Sequence, residues 1–166
     1  ALRSIWDCWQ KDTRLDFRGT NYEISLMTPF FNPGPIEHPD IKIQISAVNA
    51  GMLRLAGEIC DGVVLHPFNS QKYTKEVILP NLKKGAEKAG RSPEDFDING
   101  GGFIVTGGNE EEVETNKEAA RYRIAFYAST PSYASVMKVH GWEDKALRLQ
   151  RLSKQGKWSE MIREVT

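Results

Sequence analysis

The chain has 166 residues, which is enough for one domain with a sizeable hydrophobic core. Its 22 basic and 22 acidic residues balance, so the charge gives no indication of a nucleic-acid groove or of binding to an anionic membrane surface. No apolar run approaches the roughly 20 residues that span a bilayer, and the first ten residues do not resemble a signal peptide. We therefore expect no nucleic-acid partner, no membrane partner and a cytoplasmic location.

Neither the cysteines nor the histidines are spaced as metal ligands. Cys8 and Cys60 also form no disulfide framework. We expect both to be reduced thiols that pack as small hydrophobic side chains, and we predict no metal site.

The first forty residues predict a helix, a hairpin and an irregular loop. Leu2, Ile5, Trp6 and Trp9 follow helical spacing, and apolar and polar residues alternate on both sides of residues 18–21. Residues 28–40 contain four prolines, which exclude a regular helix or strand. Because both ends of the chain read as helix, we expect a piece of a longer protein, truncated at both ends.

From residue 41 the chain alternates between predicted strands and helices. Pro80 is expected to kink or interrupt the predicted helix 73–90. Ser92 and Asn109 have the positions of helix N-caps. The second strand is almost wholly apolar, which is typical of a strand buried on both faces. The predicted elements are strand 41–48, helix 49–60 with Met52, Leu55, Ala56 and Ile59 on one face, strand 62–68, helix 73–90, strand 96–107, helix 109–128 and further helices from Pro131.

This order predicts an α/β fold with about three parallel strands, their helices and a C-terminal helical segment. Strands that alternate with helices form right-handed crossover units around a parallel sheet. Three strands could be nearly half of an eight-stranded (β/α)8 TIM barrel, or part of an open doubly wound sheet. The pattern alone leaves both architectures open.

The turn between the first of these strands and its helix is a candidate phosphate site. It comprises Val48, Asn49, Ala50 and Gly51 and leads into Met52. The unpaired N–H groups of Gly51 and Met52, together with the helix dipole, suit a phosphate group. The alternative is that Asn and Gly serve only the geometry of the turn. Two of the three glycines of a dinucleotide-binding turn are missing.

His66 is the second candidate, because it ends an apolar strand and would face the mouth of a barrel. The alternative is a structural histidine that is bonded to a neighbouring loop. His38 is interpreted as an ordinary residue of the proline-rich loop, and His140 is assigned no role. Residues 100–102 are all glycine and are predicted to break the third strand; they could let a ligand lie against that strand, relieve crowding inside a barrel or form a bulge. Arg54 and Glu58 are spaced as a surface ion pair.

The run IQISAVNAGMLRLAGEICDGVVLHPF resembles the middle of the luciferase-like monooxygenases, especially the branch that uses the deazaflavin coenzyme F420. The shared pattern is an apolar strand, a short turn with Gly or Asn, a helix with an LAGE-like centre, and then DGV and another apolar strand. Residues 28–40 and 91–96 are also similar to segments of actinobacterial members.

The resemblance implies residues 1–166 to be a single partial TIM-barrel domain that binds coenzyme F420, with FMN as the alternative. It implies an oxidoreductase that transfers hydride to or from a small organic substrate in the full-length protein, this piece alone being inactive. It assigns Val48, Asn49, Gly51 and Met52 to the cofactor phosphate and His66 to the substrate side. It assigns no catalytic residue, since those are expected on earlier strands.

Two alternatives remain beside this reading: an FMN-dependent monooxygenase of the same fold, and a non-catalytic binding or structural module on that scaffold. A half barrel would expose sheet edges and one sheet face. We therefore expect a homo-oligomer or pairing with the missing half of the barrel.

Overall fold

The computed structural model describes residues 1–165, with Asp95 described by its backbone alone. The predicted domain also includes Thr166, which lies outside the described residues. The chain divides into two compact units, the first being Ala1–Ile41 and the second beginning at Lys42. That the chain forms a single domain stays a prediction.

The first unit contains the predicted helix and hairpin. Helix α1 is Leu2–Lys11, and strands β1, Phe17–Arg18, and β2, Glu23–Ile24, pair antiparallel. The proline-rich loop contains one 3-10 turn, Pro29–Phe31. Gln10 fastens this loop to the helix, because its side chain donates to the carbonyl oxygen of Ile36 at 3.1 Å and accepts from the N–H of Ile36 at 3.0 Å.

The second unit is built on a three-stranded parallel sheet in the order β3-β4-β5. Strand β3 is Gln44–Ala47, β4 is Gly62–Leu65 and β5 is Asp97–Asn99. The register places Ile45 beside Val63 and Val63 beside Ile98. The α/β fold with parallel strands is therefore confirmed.

All three strands are shorter than the predicted ones. The largest difference concerns residues 96–107, of which only β5 is strand. The predicted break at the three glycines is confirmed, because β5 ends at Asn99. Gly100 ends the pairing with β4, where the backbone approaches Leu65 so closely that a Cβ at Gly100 would lie 2.7 Å from the Cβ of Leu65. Gly100 thus relieves crowding against β4, whereas a Cβ at Gly101 or Gly102 would meet no atom within 4 Å.

The expectation that the second strand is buried on both faces is wrong. Val63 is fully buried, but Val64 is 40% exposed. Val64 shares its sheet face with Ser46 and Asn99, its register partners on the two neighbouring strands, and both are exposed. Helix α2, Ala50–Ile59, packs against the opposite face only, which leaves this side of the sheet polar and open.

Helix α2 and a second, longer helical run cover the buried face of the sheet. Residues 71–88 form one helical run, composed of α3, Gln71–Tyr73, a π-helical turn, Thr74–Ile78, and α4, Leu79–Lys88. The predicted interruption is therefore present. The π-helical turn ends at Ile78, two residues before Pro80, whose ring has no N–H and clashes with an α-helical backbone. The run is followed by Gly90 at φ 65°, a left-handed conformation that glycine adopts without strain.

Helices α2 and α4 approach each other through two glycines. A Cβ at Gly57 would lie 2.2 Å from the carbonyl oxygen of Leu82, and a Cβ at Gly85 would lie 2.0 Å from that of Arg54. Such distances are far inside van der Waals contact. The two backbones are therefore in direct contact, and no larger residue fits at either position in the present arrangement.

This packing corrects two expectations about α2. Of the four apolar residues predicted to share a face, only Ala56 is buried, together with Leu53 and Gly57, while Met52, Leu55 and Ile59 are exposed. The predicted Arg54–Glu58 pair is also wrong, because α4 offers closer partners. Arg54 donates to Asn81 at 3.1 Å, and Glu58 accepts from Lys88 at 2.9 Å.

The rest of the chain is helical, as expected. Helix α5 is Glu110–Ala128, capped by Asn109, whose Oδ1 accepts from the N–H of Glu112 at 2.9 Å. After a 3-10 turn, Pro131–Tyr133, follow α6, Ala134–Lys138, α7, Glu143–Lys154, and α8, Trp158–Arg163. Ser92 caps only a 3-10 turn, Pro93–Asp95, rather than the predicted helix. None of the described helices combines the length and apolar character needed to cross a bilayer.

Candidate functional site

A cavity of about 260 Å³ lies at the carboxyl ends of β3 and β4. In parallel α/β folds ligands bind at this edge of the sheet. The cavity brings together Val48 from the candidate phosphate turn and His66, which the sequence suggested separately. Asn49, Gly51 and Met52 lie beyond it, in the turn and first turn of α2. Its lining residues are Ser46, Ala47, Val48, Val64, Leu65, His66, Pro67 and Tyr133.

The turn after β3 leaves two backbone N–H groups available. Asn49 has extended backbone, and the first hydrogen bond of α2 runs from the N–H of Leu53 to the carbonyl oxygen of Asn49 at 3.0 Å. Within residues 1–165 we find no hydrogen bond from the N–H of Gly51 or Met52. A Cβ at Gly51 would meet nothing within 4 Å. The start of α2 therefore offers two backbone N–H donors, the positive end of the helix dipole and open space beside Gly51. These features suit the binding of an anion.

The side chain of Asn49 is already engaged within the protein. Its Nδ2 donates to the carbonyl oxygen of Ser132 at 2.8 Å, and its Oδ1 accepts from the hydroxyl of Ser135 at 2.6 Å. The carbonyl oxygen of Val48 accepts from the hydroxyl of Tyr73 at 3.0 Å. What this turn offers to a ligand is consequently its backbone and the Val48 side chain.

His66 is held by its own loop and by two tyrosine rings. Its Nδ1 accepts from the N–H of Phe68 at 3.0 Å, which assigns the proton of the neutral ring to Nε2. The rings of Tyr127 and Tyr133 lie 4.4 and 4.7 Å from the imidazole, centroid to centroid. Burial lowers the pKa of His66 below its ordinary value, so the neutral ring with an Nε2–H donor is favoured. Burial, with Tyr127 nearby, raises the pKa of Tyr133, which stays a neutral phenol.

We expect the stability of the protein to fall as pH drops below about 6.5, the ordinary histidine pKa. A lowered pKa in the folded state means that the unfolded chain binds more protons in this range, so acid favours unfolding. Protonation at Nδ1 would also remove the acceptor for Phe68. The measurement is the urea midpoint between pH 5 and 7.5.

The matched variants for this measurement are His66→Asn and His38→Asn. Asparagine keeps an acceptor near Nδ1 but does not titrate, so His66→Asn should flatten the pH dependence. His38 is exposed in the proline-rich loop, and its replacement should leave the slope unchanged. An unaltered slope in His66→Asn would show that His66 does not cause it.

A second, larger cavity of about 510 Å³ lies among the loops after β4 and β5 and the C-terminal helices. His140, to which the sequence assigned no role, lines it. The Nε2 of His140 lies 2.8 Å from the hydroxyl of Ser70, and its ring stacks on Trp142 at 4.4 Å. Ser70 also caps the helical run at residue 71 by accepting from the N–H of Tyr73, so this pair fastens the C-terminal segment to the start of that run.

Tyr73, Tyr133 and Ser135 surround the candidate site, and sequence reasoning missed all three. Tyr73 and Ser135 lie 25 and 86 residues from their hydrogen-bond partners Val48 and Asn49. The ring of Tyr133 contacts that of His66. No local spacing signals such contacts. In the described residues, no group of three or more His, Cys, Asp or Glu side chains is arranged to hold a metal ion.

The chain is similar over its whole length to a known family. The family model described as luciferase-like monooxygenase matches residues 1–166. An uncharacterized protein of Mycobacterium tuberculosis is 40% identical over 161 residues, which are 97% of this chain and 47% of that protein. The F420-dependent glucose-6-phosphate dehydrogenase of Mycolicibacterium gilvum is 29% identical over 97 residues, 58% of this chain and 27% of the dehydrogenase.

A solved structure has the same fold. It is the coenzyme F420 dependent tetrahydromethanopterin reductase from Methanopyrus kandleri, with a TM-score of 0.73 at 23% identity, covering 99% of this chain and 45% of the reductase. The chain spans about half the length of the Mycobacterium protein and of this reductase. The match of the family model to the whole chain identifies it as a member of the luciferase-like monooxygenase family.

Proposed function

We propose that this chain is the cofactor-binding part of a coenzyme F420-dependent oxidoreductase that transfers hydride to or from a small organic substrate. The dehydrogenase and the reductase among its relatives carry F420 dependence in their names. The observation that carries the proposal is the cavity at the carboxyl ends of β3 and β4, which places His66 beside the turn that opens α2. We also infer a cytoplasmic location, because Cys8 and Cys60 form no disulfide in the described part of the chain.

In this proposal the turn binds the cofactor phosphate through backbone groups. The N–H groups of Gly51 and Met52 would donate to it, and the absence of a side chain at Gly51 would allow close approach. Bound there, the deazaflavin would supply the hydride chemistry, while the protein supplies binding and orientation. The chain's own contribution on the substrate side is His66, whose neutral ring can donate one hydrogen bond from Nε2.

We further propose that the sheet is part of a (β/α)8 barrel. The open face that contains Ser46, Val64 and Asn99 is the face that would line the barrel interior. Its exposure here fits a partner that covers it, either the remaining strands of a full-length protein or a second copy of the chain. The relatives' greater length favours the remaining strands.

Spectral titration of the full-length protein with coenzyme F420 and with FMN tests the proposal. We expect F420 to bind at least about tenfold more tightly than FMN, a difference of about 1.4 kcal/mol. Tighter binding of FMN would favour the FMN-dependent monooxygenase. Binding of neither would contradict a redox function and favour the non-catalytic module.

A further inference from the structure

Two hydroxyls, that of the buried Tyr73 and that of the half-buried Ser135, connect the candidate phosphate turn to the helices around it. Tyr73, which is 1% exposed, donates to the carbonyl oxygen of Val48 at 3.0 Å. Ser135 at the start of α6 donates to Oδ1 of Asn49 at 2.6 Å. The two hydroxyl oxygens lie 2.8 Å apart. The two hydroxyl protons are therefore shared among three contacts: that to Val48, that to Asn49 and that between the two hydroxyls. The pair therefore contacts both residues that precede α2.

The opposite side of the turn is fastened by its own side chain. The Nδ2 of Asn49 donates to the carbonyl oxygen of Ser132 at 2.8 Å, and Ser132 belongs to the 3-10 turn before α6. Residues 48 and 49 are thus bonded to the helical run 71–88, through Tyr73, and to the segment 131–138, through Ser132 and Ser135. None of these four side-chain contacts involves Gly51 or Met52, whose N–H groups stay available.

We infer that Tyr73 and Ser135 are positioning residues for the phosphate turn. They hold Val48 in place and keep Asn49 in the extended geometry from which α2 begins, so the N–H groups of Gly51 and Met52 are aligned before the ligand arrives. Such preorganisation raises affinity because less conformational freedom is lost on binding. Segment 131–138 is thereby coupled to occupancy of the site. This inference rests on the proposed phosphate-binding role of the turn.

The test compares two ligands on the full-length protein: coenzyme F420, and the same deazaflavin chromophore without its phosphate. Tyr73→Phe and Ser135→Ala each remove one hydroxyl. Each should weaken F420 binding about tenfold and leave the phosphate-free chromophore within about twofold, since one buried hydrogen bond contributes up to about a factor of ten. Because the hydroxyls share their contacts, the double variant should lose less than the product of the single losses.

Two controls and a ligand-free readout separate positioning from general destabilisation. Tyr122→Phe and Ser159→Ala, both at exposed helix positions, should leave both affinities unchanged. Amide hydrogen exchange at Leu53, whose N–H donates to the carbonyl oxygen of Asn49, should be faster in Tyr73→Phe and Ser135→Ala than in these controls. A merely structural role would weaken both ligands equally. If Tyr73→Phe does not fold, Ser135→Ala alone answers the question.

The outcomes distinguish the two proposals. If the unaltered protein binds neither ligand, the proposed function is wrong and the positioning role falls with it. If it binds F420 but both variants stay within twofold, or lose both ligands alike, the proposed function stands and the positioning role is wrong. If both variants lose affinity for F420 but not for the phosphate-free chromophore, the result supports both the proposed function and the positioning role.

Discussion

Replacing Gly57 or Gly85 by alanine should destabilise the protein by about 3 kcal/mol, at the upper end of typical overpacking. In either variant the new Cβ would lie within 2.2 Å of a carbonyl oxygen on the facing helix, so α2 and α4 must move apart. Backbone cannot rotate out of the way as a flexible side chain can. Urea unfolding followed by circular dichroism measures the loss, with a thermal midpoint lower by roughly 10 °C.

The matched control is Gly51→Ala, in the same helix as Gly57. A Cβ at Gly51 would meet no atom within 4 Å, so alanine should be neutral or stabilising by up to about 1 kcal/mol. The double variant Gly57→Ala with Gly85→Ala should lose less than the sum, because the first Cβ already separates the helices. Near-wild-type stability in both single variants would contradict the close packing of α2 on α4.

Replacing Gly51 by aspartate should weaken coenzyme F420 binding at least about 100-fold, or about 2.7 kcal/mol. The carboxylate would lie in the space open for the phosphate and would repel it. The same substitution should raise stability slightly, since α2 has no acidic residue in its first turn and the helix dipole favours one there. Spectral titration and urea unfolding of the full-length protein measure the two opposite effects.

Gly51→Asn separates charge from size in this experiment. Asparagine has nearly the shape of aspartate without the charge, so its loss of affinity should be roughly tenfold smaller. The phosphate-free chromophore should bind both variants like the unaltered protein. An Asp variant that keeps F420 affinity within threefold would exclude this turn as the phosphate site.

The sequence predicted the turn and the histidine of the candidate site, but it did not predict the residues that contact them. A strand followed by Asn, Gly and an amphipathic stretch predicts the start of a helix, and α2 begins at Ala50. A histidine at the end of an apolar strand predicts a position at the same sheet edge, and the cavity contains His66 beside Val48. The side chain of Asn49, however, turns out to be bonded to Ser132 and Ser135.

The prediction of which face of α2 is buried was wrong for a related reason. Hydrophobicity favoured Met52, Leu55 and Ile59, whereas the buried face has Gly57 and Ala56 at its centre. A glycine has no hydrophobic signal, so periodicity cannot reveal that two backbones meet there. Likewise Arg54 and Glu58 have ideal spacing for a pair, yet α4 presents Asn81 and Lys88 to them.

The sequence by itself determined the order of strands and helices, the parallel sheet and the main breaks in regular structure. These features depend on neighbours a few residues apart: alternation, caps such as Asn109, and the ring of Pro80. The tertiary structure alone decided which face of each element is buried and which groups surround the turn. Those outcomes depend on residues up to 86 positions apart, such as Asn49 and Ser135, which meet only when the helices pack.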